Sequence, residues 1–457
     1  MDSLLEYVSP PSSPPRGDGL PTTAASDAET RRLLVAQRIA GQRRAFAHHS
    51  TREEATFAFR GYAAKRRRRH ARNEPQKYFK SIAREQAEGN AALPLFKHGT
   101  KVPSDLTADS KLERAIPLRR RNRQRFVGHH KAVNELQWHP TYPNLFLSVS
   151  MDATVRVWNA SAVEDERCQR LLTHHSLGVK SAKWSLDGRQ ILSGGYDGLA
   201  FFVDAETGQA LQELRRPDVG TTSASIERIT TVRFHPTESS SVLLGTDKGR
   251  IYCHDLREKT PQHPVITYTK SFGDVHDLLF LGIDGQRFVS SAGVMQRDAS
   301  NQTLLVWDWR SATLLYDRLD DNMLAHTCLR AHPNRPYFVA QCRGNYATLY
   351  STHAPYKRLK GPSIGGHRPP LRFSGSHEVE GYNIQCSFSH DATLWASGDA
   401  NGRVVIYRSS GKRELVESFQ LYEQRTACVC AEYQSSILGS KHVLLTGSSA
   451  GDVDLFQ

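Results

Sequence analysis

Cysteine is scarce in this chain, and the cysteines present do not fall into pairs. Cys168, Cys253, Cys328, Cys342, Cys386, Cys428 and Cys430 are odd in number, scattered and without a CxxC motif. That spacing argues against a disulfide framework and against a cysteine zinc site, and is that of a reduced, intracellular protein. Long apolar runs are missing too. No stretch approaches the ~18 apolar residues that a membrane helix needs, so no membrane partner is expected. The opening MDSLLEYVSPPSSPP has no basic start followed by an apolar segment, so no signal peptide is expected. The chain also lacks a P-loop, a GxGxxG after a strand and an HExxH. The paired histidines His48/His49, His129/His130 and His174/His175 lack metal-type spacing, because adjacent residues point apart on a strand. No cofactor, metal or small-molecule substrate is therefore expected.

Charge is present in excess, but only in one part of the chain. Of the net +13 over 457 residues, Met1–Val127 carries all of it, with 26 Lys/Arg against 13 Asp/Glu. Gly128–Gln457 has 34 of each sign. So sharp a change marks a domain boundary.

From Gly128 onward one pattern recurs seven times: an alternating strand, a turn, a short apolar strand, a polar turn, and a strand ending in a bulky residue. The first pass reads AVNELQWHP, NLFLSVS, MDATVRVWN, and the last ACVCAEYQ, HVLLTGS, AGDVDLFQ. The strand ends align at Trp158, Val203, His254, Trp307, Tyr350, Tyr407 and Phe456, spaced 45, 51, 53, 43, 57 and 49 residues apart. That period, with period-2 alternation inside each strand, is the signature of a WD40 propeller. The expected fold is all-β: a seven-bladed propeller over 116–457, preceded by a basic, partly helical arm over 26–115 and a disordered 1–25. Phe456 ends the last visible strand one residue before the sequence stops. The seventh blade then lacks its outer strand, and 116–127, around RRRNRQRFV, is expected to supply it.

Several passages are more specific than a generic blade: SMDATVRVWN, RQILSGGYDG, ITTVRFHP, DLLFLGIDGQRFVSS with RDASNQTLLVWDWR, HPNRPYFVAQCRGNYATLYST and HEVEGYNIQCSFSHDATLWASGDANGRVVIY. On these the region from about Gly128 to Gln457 resembles the WD repeat-containing protein 25 family, WD40 relatives of the spliceosomal pre-mRNA-processing factor 17. HEVEGYNI and RDASNQT lie outside the common blade pattern. The last blade departs from it, with Phe456 for tryptophan and no Gly-His before it, and the N-terminal arm shows no family motif.

Asp, His and Ser in one blade are also the ingredients of a hydrolase, which needs a nucleophile, a base and typically an oxyanion donor in a pocket. No site gathers all three. The resemblance implies instead that His129, Ser148 or Ser150, Asp152 and Trp158 form the internal hydrogen-bond relay of a blade, tryptophan to serine to histidine to aspartate. A buried indole and imidazole each need a partner. Other blades break the set: Asp197 stands six before Val203, Asn401 before Tyr407 and Ala450 before Phe456.

In the arm, SDAE (Ser26–Glu29) and TREE (Thr51–Glu54) fit capping boxes, and EPQKYFKSIAREQAEGN suits a third short helix. Lys65, Arg66, Arg67, Arg68 and Arg69 are five consecutive cations, suited to nuclear import or to nucleic-acid contact. Neighbouring Phe59, Tyr62, Tyr78 and Phe79 suit either base stacking or docking of the helices.

The function expected from all this is a non-catalytic interaction scaffold in a nuclear ribonucleoprotein assembly of pre-mRNA splicing or processing. Its partners would be other proteins of a multi-subunit complex, with RNA open to the basic arm, and the cytoplasm is a second open location. Lys131, Met151, Tyr196 and Tyr346, on the rim that carries the Asp turns, are the expected contacts, as large exposed side chains of types enriched at interfaces. The alternative is a substrate receptor of a cullin-RING ubiquitin ligase. HDLR and WDWR resemble the WDxR box by which some propellers bind the ligase adaptor, and Arg257 and Arg310 would make that contact.

Overall fold

The computed structural model describes residues 123–457 apart from 216–225, 259–262, 270–272, 294–302, 318, 320–323, 362–368, 380, 410–414 and 435–441. The segments 1–25 and 26–115, the basic run Lys65–Arg69 and most of RDASNQT lie outside the described residues. Among those described, 28 strands run from β1 (Arg123–Phe126) to β28 (Val453–Phe456) and form seven four-stranded antiparallel sheets.

The first sheet shows how each is built. β2 (Val133–Trp138), β3 (Leu145–Ser150), β4 (Val155–Asn159) and β5 (Cys168–Leu172) pair in chain order. The inner strands are buried on both faces and rich in Val, Leu and aromatics, as a sheet packed between two others requires. One such sheet cannot hide both faces alone. Seven hydrophobic clusters meet that need, each lying between one sheet and the next.

The ring closes within one blade. The last sheet is β26 (Cys428–Tyr433), β27 (Leu444–Ser448), β28 and, at its outside, β1. Arg123 pairs with Phe456, Gln124 with Leu455, Arg125 with Asp454 and Phe126 with Val453. Phe126 is fully buried and packs edge-on against Phe146 and Trp158 of the first blade.

Strands on the axis have no strand beyond them, so side chains of the preceding blade take up their spare N–H groups. Ala182 N donates to Glu135 Oε2 at 3.1 Å and Trp184 N to Gln137 Oε1 at 2.9 Å. Leu329 N donates to Asp277 Oδ2 at 2.9 Å, and Tyr433 N to Ser387 Oγ at 2.7 Å. Buried charges in the same layer tie blades together: Lys183 to Glu135, Arg233 to Asp277 at 2.8 Å, and Arg330 to Asp277 at 3.0 Å. Burial works against the carboxylates of Glu135 and Asp277, but these cations outweigh it and hold both below the usual carboxylate range. Glu432, on the same layer, is pushed up to about 7 by burial, partly opposed by Arg330 and Lys183.

On the rim away from the Asp turns, His139 and His235 clamp successive blades. Their Nε2–H groups donate to Gly188 O at 3.0 Å and Gly285 O at 3.1 Å, while Nδ1 accepts backbone N–H groups of its own turn. None of the seven cysteines is in a disulfide, and all but Cys168 are buried.

Candidate functional site: the Asp-turn rim and the relay beneath it

The turn Met151–Thr154 joins β3 to β4 on one rim. Asp152 faces back into the blade, and its Oδ2 lies 2.9 Å from His129 Nδ1. His129 Nε2 lies 2.6 Å from Ser148 Oγ, which accepts the Trp158 indole N–H at 2.7 Å. Thr154 donates to Asp152 Oδ1 through both its N–H (3.0 Å) and its hydroxyl (2.6 Å), and His130 N donates to Oδ2 at 3.2 Å. Burial holds the His129 imidazole below its ordinary pKa although Asp152 pulls the other way, so the ring is neutral. Burial works against the Asp152 carboxylate, but hydrogen bonds from His129 and Thr154 outweigh it and keep Asp152 ionised. The proton order follows: Trp158 donates to Ser148, Ser148 to His129, and His129 to Asp152.

Ser148 is fully buried and its hydroxyl is engaged on both sides. It is therefore not placed to attack a substrate. Ser150, the other serine open to this role, instead ties the turn: its hydroxyl donates to Lys131 O at 3.1 Å and accepts Asp152 N at 3.1 Å.

In the second blade only the tryptophan end of the set is missing. His175 Nδ1 lies 3.0 Å from Asp197 Oδ2 and Nε2 lies 2.9 Å from Ser193 Oγ, although Val203 stands in place of the tryptophan. His175 packs edge-on against Phe201 instead. In the fourth blade Trp307 donates to Ser290 at 2.9 Å, and in the sixth His377 meets Tyr407 at 2.8 Å. Among the described residues no three His, Cys, Asp or Glu side chains converge in a metal-binding geometry.

The four rim residues are less alike than the sequence implies. Lys131 is exposed. Met151 is half-buried, and a Cβ on Gly178 of the next blade would meet its Cε at 2.9 Å. Tyr196 is half-buried, its ring 5.4 Å from the Arg228 guanidinium, and Tyr346 is half-buried with Arg372 at 4.2 Å. The expected large exposed tyrosine faces are thus covered by arginines. Leu177 and Ile226, on the same rim, are the more open apolar groups, at 48% and 52% exposure. Their signal in the sequence is only position, just ahead of an innermost strand.

Arg257 and Arg310 follow the third strands of adjacent blades, on the opposite rim, and are 77% and 71% exposed. Arg257 chelates Asp255 of its own turn (Nη2 to Oδ2 2.6 Å), and Arg310 lies 3.6 Å from Glu238.

Comparison with known proteins gives the same picture. The WD domain, G-beta repeat model matches residues 120–159 and 166–204. WD repeat-containing protein 25 of Mus musculus is 32% identical over 72% of this chain and 56% of its own length. Pre-mRNA-processing factor 17 is 26% identical in Saccharomyces cerevisiae, over 68% of this chain and 63% of the relative, and 26% in Homo sapiens, over 61% and 43%. The chain therefore spans less than two thirds of the length of each of these relatives. Seven sheets closed by β1, a blade relay and these similarities together make the chain a WD40-repeat β-propeller protein, similar to WD repeat-containing protein 25 and to pre-mRNA-processing factor 17.

Proposed function

We propose that the chain is a non-catalytic WD40 scaffold of a nuclear ribonucleoprotein assembly, working in pre-mRNA processing. The observation that carries this reading is the similarity to pre-mRNA-processing factor 17 from yeast, mouse and human, over 61% to 68% of this chain. Two physical features support it. The Asp–His–Ser sets that resemble a catalytic site are spent on holding blades. The basic residues before the propeller, Lys65–Arg69 above all, supply a segment suited to nuclear import and to RNA. Similarity of fold alone does not fix function, so the setting rests on the relatives' names and on this charge pattern.

A second reading is favoured by one observation: Arg257 and Arg310, each beside an acid of its own rim, are both largely exposed on neighbouring blades. That suits recognition by a ubiquitin-ligase adaptor. Affinity purification of the full chain from nuclear extract separates the two. Recovery of spliceosomal proteins with small nuclear RNA is the expected result. Recovery of the adaptor, lost in the double variant Arg257→Ala, Arg310→Ala, would favour the ligase receptor instead. Deleting Lys65–Arg69 is expected to reduce nuclear accumulation, and a fully nuclear deletion variant would end the import reading.

A further inference from the structure

Across the first three blades, the Asp-turn rim forms a continuous arc of basic and apolar side chains. Met151 of the first blade lies on Gly178 of the second. Tyr196 of the second lies under Arg228 of the third, and Ile226 Cγ2 would sit 3.0 Å from a Cβ on Gly198. Along this arc Lys131, Arg228 and Lys248 are exposed, and Lys180 is half-buried where the arc meets the axial cavity. None of the four is in an ion pair with any described residue. The acids of the arc are already engaged. Asp152 is buried against His129, Asp197 holds His175 and Ser176 N, and Asp247 Oδ1 accepts Arg228 N at 3.0 Å. Asp274, exposed on the fourth blade, is the acid that remains within electrostatic reach of Arg228 and Lys248.

Between these cations stand Leu177 and Ile226, each about half exposed. Half-exposed aliphatic side chains on the same rim as cations outside any ion pair favour a ligand that brings both negative charge and apolar groups. Most of the chain's own N-terminal region is excluded by sign, since 30–127 has 25 basic against 8 acidic residues. Met1–Glu29, with five acidic residues against Arg16, carries the opposite sign, and peptide binding that strengthens when 1–29 is deleted would make that segment the occupant instead. A second copy would oppose like charges. RNA matches the cations but not the aliphatic groups, and the Tyr196 face on which a base would stack is covered by Arg228.

We propose that this arc docks an acidic polypeptide segment bearing apolar anchor residues, the anchors seated against Leu177 and Ile226 and the carboxylates against Lys131, Arg228 and Lys248. This inference rests on the scaffold reading and specifies the partner chemistry of that scaffold.

Fluorescence anisotropy on the full chain tests it. The probes are a labelled Glu/Asp-rich peptide with spaced Leu and Phe, its Gln/Asn counterpart, an acidic peptide with Ser for Leu and Phe, and oligouridine RNA. The acidic apolar peptide is expected to bind best and to weaken with added salt. The triple variant Lys131→Glu, Arg228→Glu, Lys248→Glu is expected to lower its affinity at least about tenfold with an unchanged thermal midpoint. Leu177→Ser with Ile226→Ser is expected to erase the advantage over the Ser-substituted peptide. Equal binding of the Gln/Asn peptide, no peptide binding at all, unchanged affinity in the triple variant, or preferential oligouridine binding lost in that variant would each overturn the proposal. If the peptide result fails while nuclear purification still recovers ribonucleoproteins, this inference falls and the scaffold stands. If peptide binding is lost in the triple variant but no ribonucleoprotein is recovered, the docking arc stands and the ribonucleoprotein setting falls.

Discussion

Arg123 and Asp454 are 331 residues apart in the chain and joined by two hydrogen bonds, Nε to Oδ1 at 2.9 Å and Nη2 to Oδ2 at 2.8 Å. Asp454 is completely buried, and Arg125 reaches it as well, at 3.2 Å. Among the described residues, the first strand is thereby fixed to the last. Arg123→Ala leaves Arg125 in place and is expected to cost about 1–2 kcal/mol, because Arg123 is itself partly exposed. Arg123→Ala with Arg125→Ala strands a buried carboxylate and is expected to cost more than the two single changes summed. Denaturant unfolding of the four species measures this, and strict additivity would contradict the shared role.

The relay behaves as a unit for the same reason: its members are buried and each depends on the next. Trp158→Phe keeps an aromatic ring but removes the donor to Ser148, at an expected cost of about 1–2 kcal/mol. Ser148→Ala leaves both the indole N–H and His129 Nε2 without a partner, and is expected to cost about 2–3 kcal/mol. Combining them should cost less than the sum in thermal or denaturant unfolding, because the second change removes a group that the first has already orphaned.

The turn beside the relay carries a strain that the next blade avoids. Ala153 has φ 71°, where the corresponding Gly198 has φ 79°. Ala153→Gly is expected to stabilise the protein by about 0.5–1 kcal/mol, the left-handed strain outweighing glycine's greater freedom in the unfolded chain. Gly198→Ala should do the opposite, since its Cβ would lie 2.7 Å from Glu227 O. A destabilising Ala153→Gly would show that the turn is not strained.

Acid should unfold this protein through its buried histidines. Burial pushes His139, His254 and His377 down to about 4. The unfolded chain takes up these protons near pH 6.5 and the folded chain only near 4, so stability falls as pH drops through that window. Each group contributes about 1.4 kcal/mol per pH unit there. Glu432, raised to about 7, acts in the opposite sense: the folded chain holds its proton longer, so its contribution is present at low pH and fades between about 4.5 and 7. His254 is the informative case, because neither ring nitrogen has a partner among the described residues. His254→Phe is expected to raise stability at neutral pH and to flatten the acid limb of unfolding free energy against pH. An unchanged limb would show that His254 does not titrate there.

The repeat's phase can be read from the chain because it depends on short-range chemistry. Trp158, Val203, His254, Trp307, Tyr350, Tyr407 and Phe456 do lie at one register position, opposite Phe146, Ile191, Val242, Phe288, Phe338, Trp395 and Leu444. Alternation and turn residues suffice to place them. Outer strands such as Ala210–Arg215 and Leu415–Gln420 are largely exposed and carry no such alternation, which is why three strands per blade are visible in the sequence and not four. The second relay is hidden there because Val203 replaces the tryptophan that marks it, while His175, Ser193 and Asp197 keep their bonds. The axial charges and the arginines over Tyr196 and Tyr346 pair residues brought together only by the fold. No local pattern records that Arg228 will lie over Tyr196, or Lys183 beside Glu135.

Which rim works is the central question, and cross-linking answers it most directly. In complexes purified from nuclear extract with the full chain, lysine cross-links to partner proteins are expected at Lys131 and Lys248, exposed on the Asp-turn rim. Partner cross-links confined to Lys357 and Lys360, between the third and outer strands of the fifth blade, with the rim lysines bare, would contradict the rim's role.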